Sequence, residues 1–263
     1  MKNGIYEIDF GTEFNDLLNS EGGEAVLNEA FQSAWNAFTY DHMDVFYIDV
    51  EKLTLTTKTT SIGSFATHRV NLSSGAYNNY LKDDFGNTTK INEKLNLLDA
   101  IRKEMARQLE GYSNYEKIIE VHDWMVENIE YDTNLVAEEP YSISGALTEG
   151  RAVCEGYARA FKYIMDELNI PCVLVSGIGT NSAGETESHA WNYVELNNNW
   201  FAIDVTWDDP IIVGNGYVAN DVKYRYFLRG SDNFFDSHQE DGYLSTNSME
   251  FTFPTLSATD FAG

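Results

Sequence analysis

The stretch Gly150-Arg151-Ala152-Val153-Cys154-Glu155-Gly156-Tyr157-Ala158-Arg159-Ala160-Phe161 constrains this chain more than any other. A glycine-led loop ends on Cys154. From there Tyr157, Ala158, Phe161, Ile164, Met165 and Leu168 recur at helical spacing, until Asn169 and Pro171. The spacing predicts a buried helix over 154–168 with a cysteine at its head. A thiol attacks as its thiolate, and a helix N-terminus favours that anion through its unpaired N–H groups and its dipole. The same N–H groups are placed to face a developing oxyanion. Small residues around the cysteine (Gly150, Ala152, Gly156, Ala158) leave room for close approach. Free cysteine is also often simple core filling, and this segment alone leaves both readings open.

The second cysteine, Cys172, opens a short apolar strand, Cys172-Val173-Leu174-Val175-Ser176, closed by Gly177. A helix of about 14 residues at roughly 1.5 Å each sets the two cysteines about 20 Å apart. A disulfide needs Cα atoms within about 7 Å. No bridge is expected, and Cys172 is assigned to the core.

A thiolate used for acyl transfer needs a histidine, and the histidine needs a third group to hold its tautomer. Ser188-His189-Ala190-Trp191-Asn192-Tyr193 begins a predicted strand over 189–196. Phe201-Ala202-Ile203-Asp204-Val205-Thr206-Trp207 lies in another, over 200–207, and Asn197-Asn198-Asn199 forms the turn between them. Side chains alternate faces along a strand, so register decides who meets whom. With a two- or four-residue turn, Trp191 opposes Asp204 and His189 shares that face one diagonal step away. A three-residue turn would send His189 to the other face. An aspartate among Phe201, Ala202, Ile203 and Val205 is costly to bury without a partner. Asp208 and Asp209, followed by Pro210, read as a polar turn. They lack the oxygen-ligand spacing of a calcium loop, and no metal or cofactor is predicted.

The remaining chain carries no comparable cluster. Glu24–Tyr40 has helical periodicity; Val45–Val50, Lys52–Thr60 and Thr67–Leu72 read as strands. Residues 1–86 thus form a helix-plus-strands region of unknown role, with His42 and His68 as isolated surface or satisfied structural histidines. The turn-rich Gly86-Asn87-Thr88-Thr89 marks a boundary, and residues 87–263 form the second domain. A helix is expected over Ile91–Leu109, stopped before Gly111. Ser113 and Glu116 make a capping box for a further helix reaching Asn128, with His122 in its apolar stripe. Tyr131–Gly150 is a long loop of the kind that often carries function. Tyr224–Leu228 and Phe251–Phe253 read as edge strands.

Bulk composition narrows the partners. The 263 residues, 43% hydrophobic, suffice for a sizeable core. With 42 acidic against 17 basic residues, the net charge of −25 repels nucleic acid and anionic membrane surfaces. The acidity serves solubility or, more specifically, a basic peptide or amine substrate. No run of 18 apolar residues offers a membrane span. The Met1–Glu7 start has no apolar signal-peptide core.

At Gly150–Ala158, Ser188–Asn192 and Trp200–Asp208 the chain resembles the transglutaminase-like superfamily, in its bacterial branch of candidate cysteine proteases. Tyr115–Asp132 is similar to that family's leading helix, and Tyr226-Phe227-Leu228 to its closing segment. The resemblance spans roughly 113–240. It implies an α+β, papain-like core in which a central helix headed by the cysteine packs on an antiparallel sheet. It implies Cys154 as nucleophile, His189 as general base and acid, and Asp204 as orienter. It implies an oxyanion donor upstream of the cysteine, for which Tyr141 is the candidate, and Trp191 and Trp207 as substrate-contacting residues. It also implies a secreted or cell-surface setting. The calcium used by large animal members finds no supporting residues here.

The activity so implied is thiol chemistry on amide bonds of proteins or peptides. An amine acceptor, such as lysine, gives cross-linking; water gives deamidation or proteolysis. A competing reading keeps the fold as a catalytically silent peptide-binding or cell-surface module. A third, a regulatory thiol sensor, needs an exposed Cys154 with no histidine nearby.

Overall fold

The computed structural model describes residues 7–77, 79–209, 220–241 and 250–263, without the side chains of residues 220 and 221. The fold is α+β and divides into two compact units. The first extends to Leu95, the second starts at Asn96, and the division falls inside one helix.

The first unit holds β1 (Glu7–Gly11), α1 (Asn15–Leu18), α2 (Gly23–Asp41), β2 (Thr54–Ile62) and β3 (Phe65–Ser73). The three strands form an antiparallel sheet in the order β1-β3-β2. The expected strand at Val45–Val50 is absent. That run instead enters and leaves through single helical turns, Met43–Val45 and Val50–Lys52. Asp49 caps the second turn through its side chain. Phe46 and Tyr47 are buried, Phe46 meets the Phe85 ring edge-to-face at 5.3 Å, and the run's strand character is confined to one isolated antiparallel bridge, Ile48 to Leu81.

Helix α3 (Thr88–Gln108) contains the division, and Gly111 beyond it has φ +86°. Helix α4 (Asn114–Asn128) begins with the Ser113–Glu116 capping box, both reciprocal bonds present. It leads into β4 (Glu130–Tyr131), which pairs in parallel with β5 (Arg151–Ala152). The loop between them carries a single wide helical turn at Gly145–Glu149. Gly150 follows with φ +67°, a conformation natural for glycine.

Helix α5 (Cys154–Glu167) packs against the sheet formed by β6 (Cys172–Thr180), β7 (Thr186–Leu196), β8 (Asn199–Ile203) and β9 (His238–Glu240). Their order is β8-β7-β6-β9, antiparallel throughout. Tyr157, Ala160, Phe161, Ile164 and Met165 of α5 are buried. Asn192 of β7 donates to the Ala158 carbonyl at 3.0 Å and ties helix to sheet. Elsewhere on the sheet Val175, Trp191, Tyr193 and Ala202 join Phe234 and Leu256 in one apolar cluster. The short helices α6 (Val205–Asp208), α7 (Asn220–Lys223) and α8 (Ser231–Phe234) complete the unit.

Two strand expectations differ from the structure. Tyr224–Leu228 and Phe251–Phe253 are not strands; only isolated bridges, Ala202 to Arg229 and Trp200 to Leu256, occur beside them. Their aromatic rings are satisfied by packing, Tyr226 against Trp207 and Phe253 against Tyr193. The edge partner of β6 is the polar segment His238–Glu240. Strand β8 ends at Ile203 rather than 207, and Pro210 lies outside the described residues.

Candidate active site

The β7–β8 turn sets the site. Its two residues, Asn197 and Asn198, have φ +53° and +61°. Two consecutive left-handed residues make the tight hairpin turn that asparagine tolerates. The connection is therefore even, with Leu196 opposite Asn199 and Asn192 opposite Ile203. Extended by one pair, that register sets Trp191 opposite Asp204 and leaves His189 diagonal to it.

Asp204 stops the strand because its carboxylate has other work. Oδ1 accepts the Trp207 N–H at 3.2 Å and caps α6. Oδ2 lies 2.7 Å from His189 Nε2. Both residues are buried. Burial alone would lower the basicity of His189. The Asp204 charge, the hydrogen bond to it and a hydrogen bond with the Cys154 thiol outweigh that and raise the imidazole to about 10. Burial would raise Asp204, but the charges and hydrogen bonds of His189 and His238 hold it well below the usual carboxylate range. With Nε2 committed to Asp204, Nδ1 is the ring nitrogen left for the thiol.

Cys154 heads α5 and is partly buried. Both cysteines are free, and Cys172 is buried with its thiol pushed up by desolvation. The loop before Cys154 is held by Val153, whose N–H donates to the Pro140 carbonyl at 3.0 Å. The Asp132 N–H donates to the Ala152 carbonyl at 2.9 Å, next to the Tyr131–Ala152 strand pair. Tyr131, which the sequence reading did not single out, is thereby brought beside the cysteine. Burial pushes its phenol up to about 12, helped by Cys154, Glu187, Tyr141 and Asp204.

The remaining candidates divide. Tyr141 is 52% exposed and follows the pinned Pro140. Trp191 is 1% exposed and belongs to the apolar cluster, so it offers no surface to a substrate in this structure. Trp207 stacks on the His189 ring at 4.8 Å and also lines a cavity of about 520 Å³ with Thr180, Asn181, Arg225, Tyr226 and Asp236. It covers the His189–Asp204 pair and still borders open space.

One group escaped the sequence reading, and the Asp208–Asp209 pair differs from the polar turn expected of it. His238, from β9, places Nε2 3.0 Å from the same Asp204 oxygen. Asp208 is not in a surface turn: it is fully buried, 3.1 Å from His122 Nε2, and accepts the Tyr226 N–H at 2.8 Å. Asp209 accepts from the Tyr157 hydroxyl at 2.5 Å. Desolvation raises both carboxyls to about 6. His122 is a core residue, as its place in the stripe predicts.

His189, Asp204 and His238 are the group of ligand-type side chains that come within 4.8 Å of one another among the described residues. Hydrogen bonding accounts for this. An ionised carboxylate only accepts, so in this arrangement each Nε2 donates its proton to the shared Asp204 oxygen. The arrangement can hold a proton on an imidazole beside a thiol, which is what acyl transfer from an amide needs. A pH dependence follows. His189 stays protonated through neutral pH, so any reaction needing it as an acid is expected to persist there and fall as pH rises through about 10. A rate profile already falling at pH 7 to 8 would contradict this assignment.

Residues 103–205 match the family described as the transglutaminase-like superfamily. The matched stretch contains Cys154, His189 and Asp204. The kyphoscoliosis peptidase of Mus musculus is 28% identical over 114 residues, covering 39% of this chain and 17% of the relative. The Homo sapiens protein of the same name is 26% identical over 147 residues, covering 50% and 22%. The chain thus spans less than a quarter of either relative. A candidate cysteine protease of Cytophaga hutchinsonii has a solved structure with TM-score 0.34 and 17% identity, covering 61% of this chain and 68% of that one. No helix among the described residues is long and apolar enough to cross a membrane.

Proposed function

We propose that this protein is a thiol enzyme acting on amide bonds of proteins or peptides through Cys154, His189 and Asp204. The observation that carries the reading is the buried 2.7 Å contact between His189 Nε2 and Asp204, made by an imidazole whose basicity the Cys154 thiol also helps to raise. A histidine held this way by a buried carboxylate has one tautomer and one orientation. The Cys154 sulfur attacks the amide carbonyl carbon, and the C–N bond breaks as His189 passes its Nδ1 proton to the departing nitrogen. A thioester remains on Cys154. His189 then takes a proton from the acceptor, which attacks the thioester and frees the thiol. An amine acceptor yields a new amide; water yields an acid. The acidic surface supports lysine-bearing partners over anionic ones.

Mass spectrometry separates the outcomes after incubation with a glutamine-containing peptide, with and without a primary amine. Amine incorporation with ammonia loss marks cross-linking, water gain with ammonia loss marks deamidation, and chain cleavage marks a peptidase. Cys154→Ala is expected to abolish whichever product forms and the thioester with it. Equal product from wild type and Cys154→Ala would overturn the reading.

A further inference from the structure

We propose that His238 is a positioning residue for this reaction: by sharing oxygen Oδ2 of Asp204 with His189, it sets how firmly Asp204 holds the His189 proton. The inference rests on the proposed triad and extends it.

The geometry is specific. His238 Nε2 lies 3.0 Å from Asp204 Oδ2, the oxygen that His189 Nε2 approaches at 2.7 Å. Its other nitrogen, Nδ1, is 2.9 Å from the Ser237 hydroxyl. A hydroxyl both donates and accepts, so Ser237 can serve that nitrogen in either role and fixes the orientation of the ring. The ring is only 2% exposed. It stacks on Phe234 at 4.0 Å with an interplanar angle of 16°, and packs beside Trp191 and Trp207 at 5.0 and 4.5 Å. A ring so enclosed has no route to a substrate. Its one polar contact directed at the site is Asp204, so it acts through Asp204.

The β6 strand makes the meeting possible. Gly179 pairs with His238 and Gly177 with His189 across the two edges of β6. At Gly179 a side chain would lie 2.8 Å from the Trp207 ring and 3.3 Å from His189 Cβ. The bare backbone leaves room for the indole that covers both histidines.

Two donors on one oxygen each receive part of its basicity. With His238 present, Asp204 fixes the His189 ring without holding its proton so tightly that transfer to the leaving nitrogen is slowed. With His238 removed, Oδ2 serves His189 alone and the imidazolium persists to higher pH. The other titratable groups around Asp204 and His189 are Cys154 on α5, Tyr131 on β4, Asp208 on α6, and Tyr226 against the His238 ring. They are unchanged in the variants below, so a shift reports on His238.

The test uses inactivation of the full chain by chloroacetate, read as carboxymethylation of Cys154. The anionic reagent is drawn to the imidazolium, so the rate has an alkaline limb where His189 loses its proton. His238→Ala is expected to move that limb upward by on the order of one pH unit. Ser237→Ala, a gentler change, should move it the same way by less. His238→Gln, whose amide N–H can reach the Nε2 position, should return it towards wild type. If neither His238→Ala nor Ser237→Ala moves the limb while melting temperatures fall, His238 is structural only and the proposal is overturned. If wild type has no alkaline limb at all, the triad reading itself fails. Should His238→Ala not fold, Ser237→Ala decides alone: an unmoved limb overturns the proposal and an upward shift supports it.

Discussion

Asp204→Asn is expected to lower turnover by on the order of 10⁴-fold while the chain remains folded. The substitution keeps shape and removes charge. The asparagine oxygen can still accept the Trp207 N–H and cap α6, as Asp204 Oδ1 does. Its amide N–H₂ then faces His189 and His238, which both donate to the present carboxylate. Donor would meet donor, so His189 must expose an unprotonated Nε2 and move its proton to Nδ1, against the thiol. The pair then starts as neutral imidazole and thiol, and the buried ring loses the charge that now holds it protonated. The measurement is kcat/KM on a productive peptide, with circular dichroism to check the fold. Turnover within tenfold of wild type, with the same pH profile, would show that Asp204 does not orient His189.

Gly156→Ala should be the most informative change at the head of α5. Helix propensity alone favours alanine by about 1 kcal/mol. Packing opposes it. A Cβ at this position would press into the Pro140 carbonyl oxygen and lie 2.7 Å from Ala152 Cβ. Both belong to the backbone framework that seats Cys154, since Pro140 accepts the Val153 N–H. Carbonyl and helix cannot yield as a flexible side chain would. Overpacking of this kind costs about 1–3 kcal/mol, so the net expectation is a loss of roughly 1 kcal/mol rather than a gain. Catalysis should suffer more, because a displacement of about 1 Å in a nucleophile can cost about 100-fold. Chemical denaturation and kcat on the same preparation separate the two. A variant that is more stable than wild type and equally active would mean that the loop gives way freely.

Much of the candidate site's framework is legible in the sequence alone. The cysteine-headed helix, the two strands with their asparagine turn, and the Ser113–Glu116 cap are local patterns. Period, capping and turn chemistry act between residues a few positions apart. Strand alternation even specified that the turn must be even for His189 and Asp204 to share a face, and the turn has two residues. Local signals also misled. Val45–Val50 and Tyr224–Leu228 have the composition of strands but settle into aromatic packing with isolated bridges at or beside them rather than a ladder. Strand propensity reports fitness for a half-buried surface, and an aromatic cluster satisfies it equally well.

What the sequence by itself determined, then, is which elements form and which chemical groups lie along them. The second partner of Asp204 and the partner of Asp208 were decided only by tertiary structure. His238 meets Asp204 across 34 residues of chain, and His122 meets Asp208 across 86. Nothing in the polar run around 238 marks it as the edge of a sheet. It becomes one because β6 presents an unpaired edge and Phe234 offers its ring a face to stack on. A carboxylate enters an apolar interior only where donors already wait for it. Whether they wait is a property of the packed chain and not of any window within it.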